Sequence, residues 1–351
     1  MRAWEYDGQK VTLVERPAPV PGPGQVVLDV TAAGLCHSDL TLTGRPAESH
    51  PFPLPLVLGH EVAGTVRELG EGITGLAVGD PVVVHGPWGC GECRRCWAGE
   101  ENLCPRAARE RIFPVGLGAD GGLAEQLLVP SARHLVRADG IDPVQAAPLT
   151  DAGLTAFNAV RLCRPAMAEG STVLVLGVGG LGHLALQLVK HLTPARVVAV
   201  DVSPAARDLA ARLGADVVLD PTAAPVAEEV RALTGGDGAD VVMDFVASEL
   251  TLSDAVVCLA PGGELCVVGV GAATVPVAVK TMPLGSTVRT PYWGPRGDLE
   301  EVLALSRQGA LEVHTTEFPL AEADRAYELM RTGGLVGRAV VRPVVRPGEG
   351  A

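Results

Sequence analysis

The chain is poor in lysine, in aromatic side chains and in long apolar runs, and it has no concentration of basic charge. Lysine occurs only at positions 10, 190 and 280; arginine supplies the rest of the 28 basic residues, a bias that reads as codon usage rather than mechanism. Against 41 acidic residues this leaves a net charge of −13 (28 minus 41). No basic stripe is present to neutralise a phosphate backbone, so no nucleic-acid partner is expected, and neutral or cationic small ligands are. No apolar run reaches the length of a membrane span, and the opening MRAWEYDGQK lacks the charged-then-apolar order of a secretion signal. A cytoplasmic protein without a membrane partner is therefore expected. Aromatic residues are so few (five Phe, four Trp, three Tyr) that the adjacent Tyr292 and Trp293 stand out.

A length of 351 residues with 47% hydrophobic content predicts two domains with sizeable cores. Residues 1–150 carry short alternating runs such as VVLDVTAAG (26–34), EVAGTVRELG (61–70) and DPVVVHG (80–86), broken by turns such as PGPG (21–24), with no long helical pattern. They predict a mainly β domain. From 151 to 285, apolar runs alternate with helical stretches: TVLVLG (172–177), RVVAVD (196–201), ADVVLD (215–220), DVVMDF (240–245) and ELCVVGV (264–270), with VPVAVK (275–280) as a sixth strand. That rhythm predicts an α/β domain whose parallel sheet is built by crossovers. Residues 286–351 read as a return to the first domain, with a helix near 297–308 and a strand in VGRAVVRP (336–343). A ligand is expected in the cleft between the two domains.

Four of the eight cysteines, Cys90, Cys93, Cys96 and Cys104, follow the spacing C-x2-C-x2-C-x7-C. In a reducing compartment such a cluster points to metal rather than to disulfides. Four thiolates fill a tetrahedral Zn²⁺ completely and leave no position for substrate, so a structural zinc holding a lobe at about 85–110 is expected. An iron–sulfur cluster is the competing reading, and the long final gap of a lone cluster favours zinc. Cys163, Cys258 and Cys266 lie in apolar surroundings and read as small buried hydrophobes.

The run GVGGLG ends one predicted strand and opens one predicted helix. Gly177, Gly179 and Gly182 permit a tight turn and close approach, and the amides of the turn, Gly180 and Leu181 among them, favour a dinucleotide pyrophosphate. Asp201, at the end of the next strand, can accept from ribose hydroxyls and would repel a 2′-phosphate, so NAD is expected rather than NADP. Arg207 reads as a solvated helix residue. Cys36 and His60, joined by one carboxylate, could form a catalytic zinc site with an open position; spacing alone does not select that carboxylate.

LCHSD (35–39), GHEVAGTV (59–66), GDPVVV (79–84), the cysteine cluster, PLTDAGLTAF (148–157) and GVGGLGHLALQL (177–188) resemble the zinc-dependent medium-chain alcohol dehydrogenases, nearly end to end. GPWGCGEC, PLTDAGLT and TPYWG are most similar to the bacterial, actinobacterial-type NAD-dependent secondary alcohol dehydrogenases, which accept bulky, often aryl, alcohols and ketones. The resemblance implies a Rossmann-type doubly wound parallel sheet beside a mainly β, GroES-like catalytic domain. It implies one structural and one catalytic zinc per chain, the latter held by Cys36, His60 and Asp151, where other members place a second cysteine in the third position. Glu61 would approach the metal and help exchange its water, and Asp39 would orient His60. Ser38 would pass the alcohol proton onward. Thr41 stands where some members carry a relay histidine, which leaves His37 as a substitute or as a pyrophosphate contact. Phe52, Leu117, Tyr292 and Trp293 would line the substrate pocket, unless the last two only plug a domain interface. A homodimer or homotetramer is also implied. A polyol dehydrogenase of the same architecture is the rival enzyme reading. An idle cofactor-binding protein would have no need of Cys36, His60 and Asp151 together.

Overall fold

A computed structural model describes residues 1–343, and the chain divides into two compact units. The first comprises Met1–Asp151, Pro295–Gly309 and the described residues from Thr315 onward; the second comprises Ala152–Gly294 and Ala310–His314.

The first unit is built on a sheet in which Val26–Gly34 pairs antiparallel with Glu61–Leu69 on one side and with Arg338–Arg342 on the other. Pro81–Val84 and Leu135–Arg137 extend the sheet beyond Glu61–Leu69, and Thr315–Pro319 extends it beyond Arg338–Arg342. Alternation drives these strands inward: Val26, Leu28, Val30, Val62 and Val66 are all buried in one cluster with Leu127. Short helical pieces stand on this frame, among them His37–Thr43 and Pro143–Pro148.

The second unit carries six parallel strands in the spatial order Val217–Leu219, Arg196–Val200, Thr172–Leu176, Ala239–Asp244, Leu259–Val267, Thr287–Arg289. In chain order this is 3-2-1-4-5-6, the doubly wound arrangement whose strand order reverses between Thr172–Leu176 and Ala239–Asp244. Thr172–Leu176 is buried at every position, as a central strand covered on both faces must be. Helices Gly182–Leu192, Pro204–Arg212, Val226–Leu233 and Glu249–Cys258 supply the crossovers.

The sixth strand is not VPVAVK. Residues 275–280 form an irregular loop in which Val277 and Val279 are 66% and 82% exposed, and Pro276 has no amide for a ladder. Thr287–Arg289 takes that place, so the second unit runs past 285 to Gly294 and later takes back Ala310–His314.

Candidate active site

Cys36, His60 and Asp151 come together in the first unit, their ligand atoms all within 4.8 Å of one another. Cys36 ends the turn that follows Val26–Gly34, and His60 directly precedes Glu61–Leu69, so two paired strands deliver them side by side. Asp151 arrives on a single π-helical turn, Leu149–Gly153, between two α-helices. Such turns insert one residue into a helix and recur where a side chain must be re-aimed. Cys36 Sγ lies 3.7 Å and His60 Nε2 3.4 Å from Asp151 Oδ2. A tetrahedral ion with bonds of about 2.0–2.3 Å needs ligand separations of roughly 3.3–3.8 Å, so the mixed sulfur, nitrogen and oxygen set fits zinc.

The groups behind these ligands fix their orientation. Asp39 is fully buried; its Oδ1 lies 3.1 Å from His60 Nδ1, and its Oδ2 accepts from Cys36 N at 3.1 Å and from Tyr327 Oη at 3.0 Å. Burial alone would lower the His60 pKa, but the Asp39 and Asp151 carboxylates outweigh it and raise the pKa well above its ordinary value. Two anions thus call for a cation at Nε2, a place that a proton or a metal can take. Burial and the Asp39 charge push the Tyr327 hydroxyl far upward, so it remains a donor.

Glu61 is buried and held by Arg338, whose Nε and Nη2 donate at 2.9 and 2.5 Å, while Nη2 also lies 3.4 Å from Asp151 Oδ2. Burial raises the Glu61 carboxyl to about 7 against the pull of Arg338. The carboxylate occupies the space over Gly34, where a Cβ would come within 1.8 Å of Oε2. Ser38 Oγ stands 3.6 Å from Cys36 Sγ. His37 opens the helix His37–Thr43 and is accessible to solvent, yet partial desolvation and the Arg338 charge lower its pKa. Thr41 lies further along the same helix, its hydroxyl unable to play an imidazole's part.

The four thiols also converge. Cys93 Sγ is 3.5 Å from Cys96 and 3.8 Å from Cys104, and Cys90 is 3.9 Å from Cys96. These separations are close to the roughly 3.8 Å edge of a zinc–thiolate tetrahedron. The Cys96 amide and the surrounding thiols bring the Cys93 thiol down to about 7, whereas burial sends Cys96 up to about 12. Full ionisation of the set therefore calls for a metal cation.

In the second unit the glycine turn lies at the strand-order reversal. Gly177 has φ of +86°, a conformation that favours glycine, and a Cβ on Gly182 would come within 1.8 Å of the Gly177 carbonyl oxygen. A Cβ on Gly179 would meet nothing within 4 Å, so space remains beside the turn for a dinucleotide, with Gly180 and Leu181 at the helix start. Asp201 accepts from Val178 N and Ser203 N, both at 2.8 Å, which ties it to that turn. Arg207 is not solvated. It donates to the carbonyls of Asp201 and Val202 at 2.9 Å and pairs with Asp220 at 2.7 Å, because its long side chain reaches back to the strand end.

The four pocket residues divide between the units. Phe52 stacks on His50 and meets Phe113 edge-on in the first, where Leu117 packs against the core. Tyr292 and Trp293 belong to the second; Tyr292 is 49% exposed, and Trp293 is buried with φ of +44°, its carbonyl accepting from Asn158 Nδ2 at 2.6 Å. Sequence reasoning missed Arg338 and Tyr327. An arginine at the head of the apolar strand RAVVR was the one available signal for the first; Tyr327 carries none.

Residues 22–139 match the alcohol dehydrogenase GroES-like domain and residues 180–308 the zinc-binding dehydrogenase family. An NAD-dependent alcohol dehydrogenase of Sulfurisphaera tokodaii is 35% identical over 96% of this chain and 97% of its own. The alcohol dehydrogenase of the hyperthermophilic archaeon Aeropyrum pernix superposes with a TM-score of 0.90 at 35% identity, covering 98% of this chain and 100% of the other. The acetophenone reductase of Geotrichum candidum, solved with NAD, gives 0.86 at 30% identity over 97% and 96% of the two chains. Ligands that three separate stretches of chain bring within reach of one metal are thus matched by likeness along almost the whole sequence, and the chain belongs to the zinc-dependent medium-chain alcohol dehydrogenases as an NAD-dependent enzyme.

Proposed function

We propose that this alcohol dehydrogenase acts on bulky secondary alcohols, aryl carbinols included, and on the corresponding ketones. The observation that carries the activity is the convergence of Cys36, His60 and Asp151 in front of Asp39. The substrate class is supported by the apolar character of Phe52, Leu117 and Trp293 and by the likeness to an acetophenone reductase. Zinc supplies Lewis acidity towards the alcohol oxygen, and NAD accepts the hydride. Ser38 Oγ, beside Cys36, takes the alcohol proton and passes it towards the ribose or to His37 on the same helix. Asp39 holds His60 with Nε2 facing the metal position, and the Arg338 cation offsets the negative charge of Glu61 and Asp151. Glu61, next to His60 and held by Arg338, would assist water exchange at a zinc ion held by Cys36, His60 and Asp151. Gly177, Gly179, Gly180, Leu181 and Gly182 bind the pyrophosphate, and Asp201 the adenosine ribose.

Self-association through the second unit belongs to the same reading. Thr287–Arg289 ends its sheet with one edge unpaired among the described residues, and Val270, Val277, Val279 and Leu284 nearby in sequence are each at least 66% exposed. A dimer or a tetramer is expected, and a cytoplasmic location belongs to the same reading, since a four-cysteine metal set suits a reducing compartment.

Initial rates of NAD reduction test the substrate class. With zinc-replete protein, kcat/KM for 1-phenylethanol should exceed that for ethanol and for sorbitol by about ten-fold or more, the worth of well-filled apolar contacts. A preference for sorbitol would replace this reading with a polyol dehydrogenase.

A further inference from the structure

The helix Gly182–Leu192 starts at the glycine turn, and its second residue, His183, is fully buried. The Gly179 carbonyl oxygen lies 2.8 Å from His183 Nδ1 and 3.2 Å from His183 N. A carbonyl only accepts, so Nδ1 carries the hydrogen. His183 Nε2 lies 3.1 Å from the amide of His314, which only donates, so Nε2 carries the lone pair. One neutral tautomer satisfies both neighbours. One turn along, Gln187 Nε2 donates to Glu312 O at 2.9 Å and its Oε1 accepts from Glu312 N at 3.0 Å. The segment Ala310–His314 is thereby fastened to the helix. It is also the stretch where the chain re-enters the second unit between Pro295–Gly309 and Thr315.

We propose that His183 is a positioning residue for the dinucleotide and couples occupancy of the glycine turn to the segment Ala310–His314. The inference rests on the reading of Gly177–Gly182 as the pyrophosphate site. Gly179 has open space where a side chain would stand, and both the amide and the ring of His183 hold its carbonyl oxygen. A carbonyl turned outward would present its negative end to the phosphates, whereas His183 draws that oxygen back along the helix and leaves the amides of the turn facing out. The same ring grips His314, so a turn made rigid by bound dinucleotide also restrains the segment.

Two readouts test this: NADH affinity by energy transfer from protein to nicotinamide fluorescence, and hydrogen exchange at 310–314 with and without NAD. In the wild type, NAD should slow exchange in the segment. His183→Leu removes both side-chain bonds and should weaken NADH binding about ten-fold and abolish the slowing. His183→Asn can place an amide nitrogen near the Nδ1 position but does not reach His314; it should keep the affinity within about two-fold and still lose the slowing. Leucine-variant affinity within two-fold of wild type, or unaltered slowing in the asparagine variant, would overturn the proposal. If the leucine variant does not fold, the asparagine variant decides alone. A wild-type chain that binds no NADH overturns the pyrophosphate reading itself, and this inference with it.

Discussion

A single guanidinium stabilises both the buried Glu61 and the metal-site acid Asp151. Arg338 is 3% exposed and meets Glu61 through two nitrogens and Asp151 through one. Its replacement by glutamine leaves Glu61 in a dry site without a counter-charge, and urea unfolding at neutral pH should show a loss of about 3–5 kcal/mol. Lysine keeps the charge but not the two-pronged geometry, so Arg338→Lys should fall in between. Stability of the glutamine variant within about 1 kcal/mol of wild type would contradict the account. His134 gives a pH dependence. Its ring stacks on Trp88, and burial with the Arg133, His85 and Arg296 charges holds its pKa down at about 2. Between there and an unfolded value near 6.5, the unfolded chain binds a proton that the folded chain refuses. The contribution of His134 is complete above about pH 6.5 and is lost as pH falls from there towards 2, by up to about 1.4 kcal/mol per unit. Denaturation midpoints at pH 7, 6 and 5 should fall more steeply for wild type than for His134→Phe; parallel curves would refute the assignment. The four clustered cysteines and the glycine turn were legible from their spacing and context, whereas Cys36 and His60 gained their ligand role only through the family resemblance. Arg338 and Tyr327 were not legible, since they act on Glu61 and Asp39 across 277 and 288 residues of chain.

Among the elements, the cysteine lobe depends most on its metal. Its helical pieces, Arg94–Trp97 and Glu101–Leu103, are too short to persist alone, and Trp97 and Leu103 are 78% and 47% exposed. Chelation should therefore release the lobe before the rest of the molecule. Trypsin is then expected to cut at Arg94, Arg95, Arg106 or Arg109 in metal-free protein and to spare them in the zinc-loaded form. Equal cutting in both forms would remove the structural role. The buried parallel strands were readable as apolar runs, but the same cue misled at 275–280. Val275, Val277 and Val279 suit a strand, yet nothing covers the last two, and the short Thr287–Arg289 pairs instead. The π turn at Leu149–Gly153 left no mark in the sequence pattern, so the third metal ligand became identifiable only through resemblance or coordinates.

At the scale of the whole molecule, the proposed self-association would use the edge of Thr287–Arg289, unpaired among the described residues, and the exposed valines near it in sequence. Light scattering should give a dimer or tetramer for wild type, and Val279→Glu, at an 82% exposed position, should shift it towards smaller species. An unchanged mass would place the interface elsewhere. Periodicity distinguished a β-rich stretch from an alternating one. The short return of Ala310–His314 went unread, because its alternation amounts to only two buried residues, Leu311 and Val313, and the side chains that fasten it, Gln187 and His183, stand on a distant helix.

Asp151 closes the first unit and Ala152 opens the second, so the chain passes between them on the residue that completes the metal set. Backbone continuity there is part of the coordination chemistry. In circular permutants, new termini at Gly235–Asp237, an exposed turn far along the chain from every ligand, should leave zinc stoichiometry intact. A break between Asp151 and Leu154 should cost the catalytic ion alone, sparing the four-cysteine site, and metal analysis would show one zinc per chain where the parent holds two.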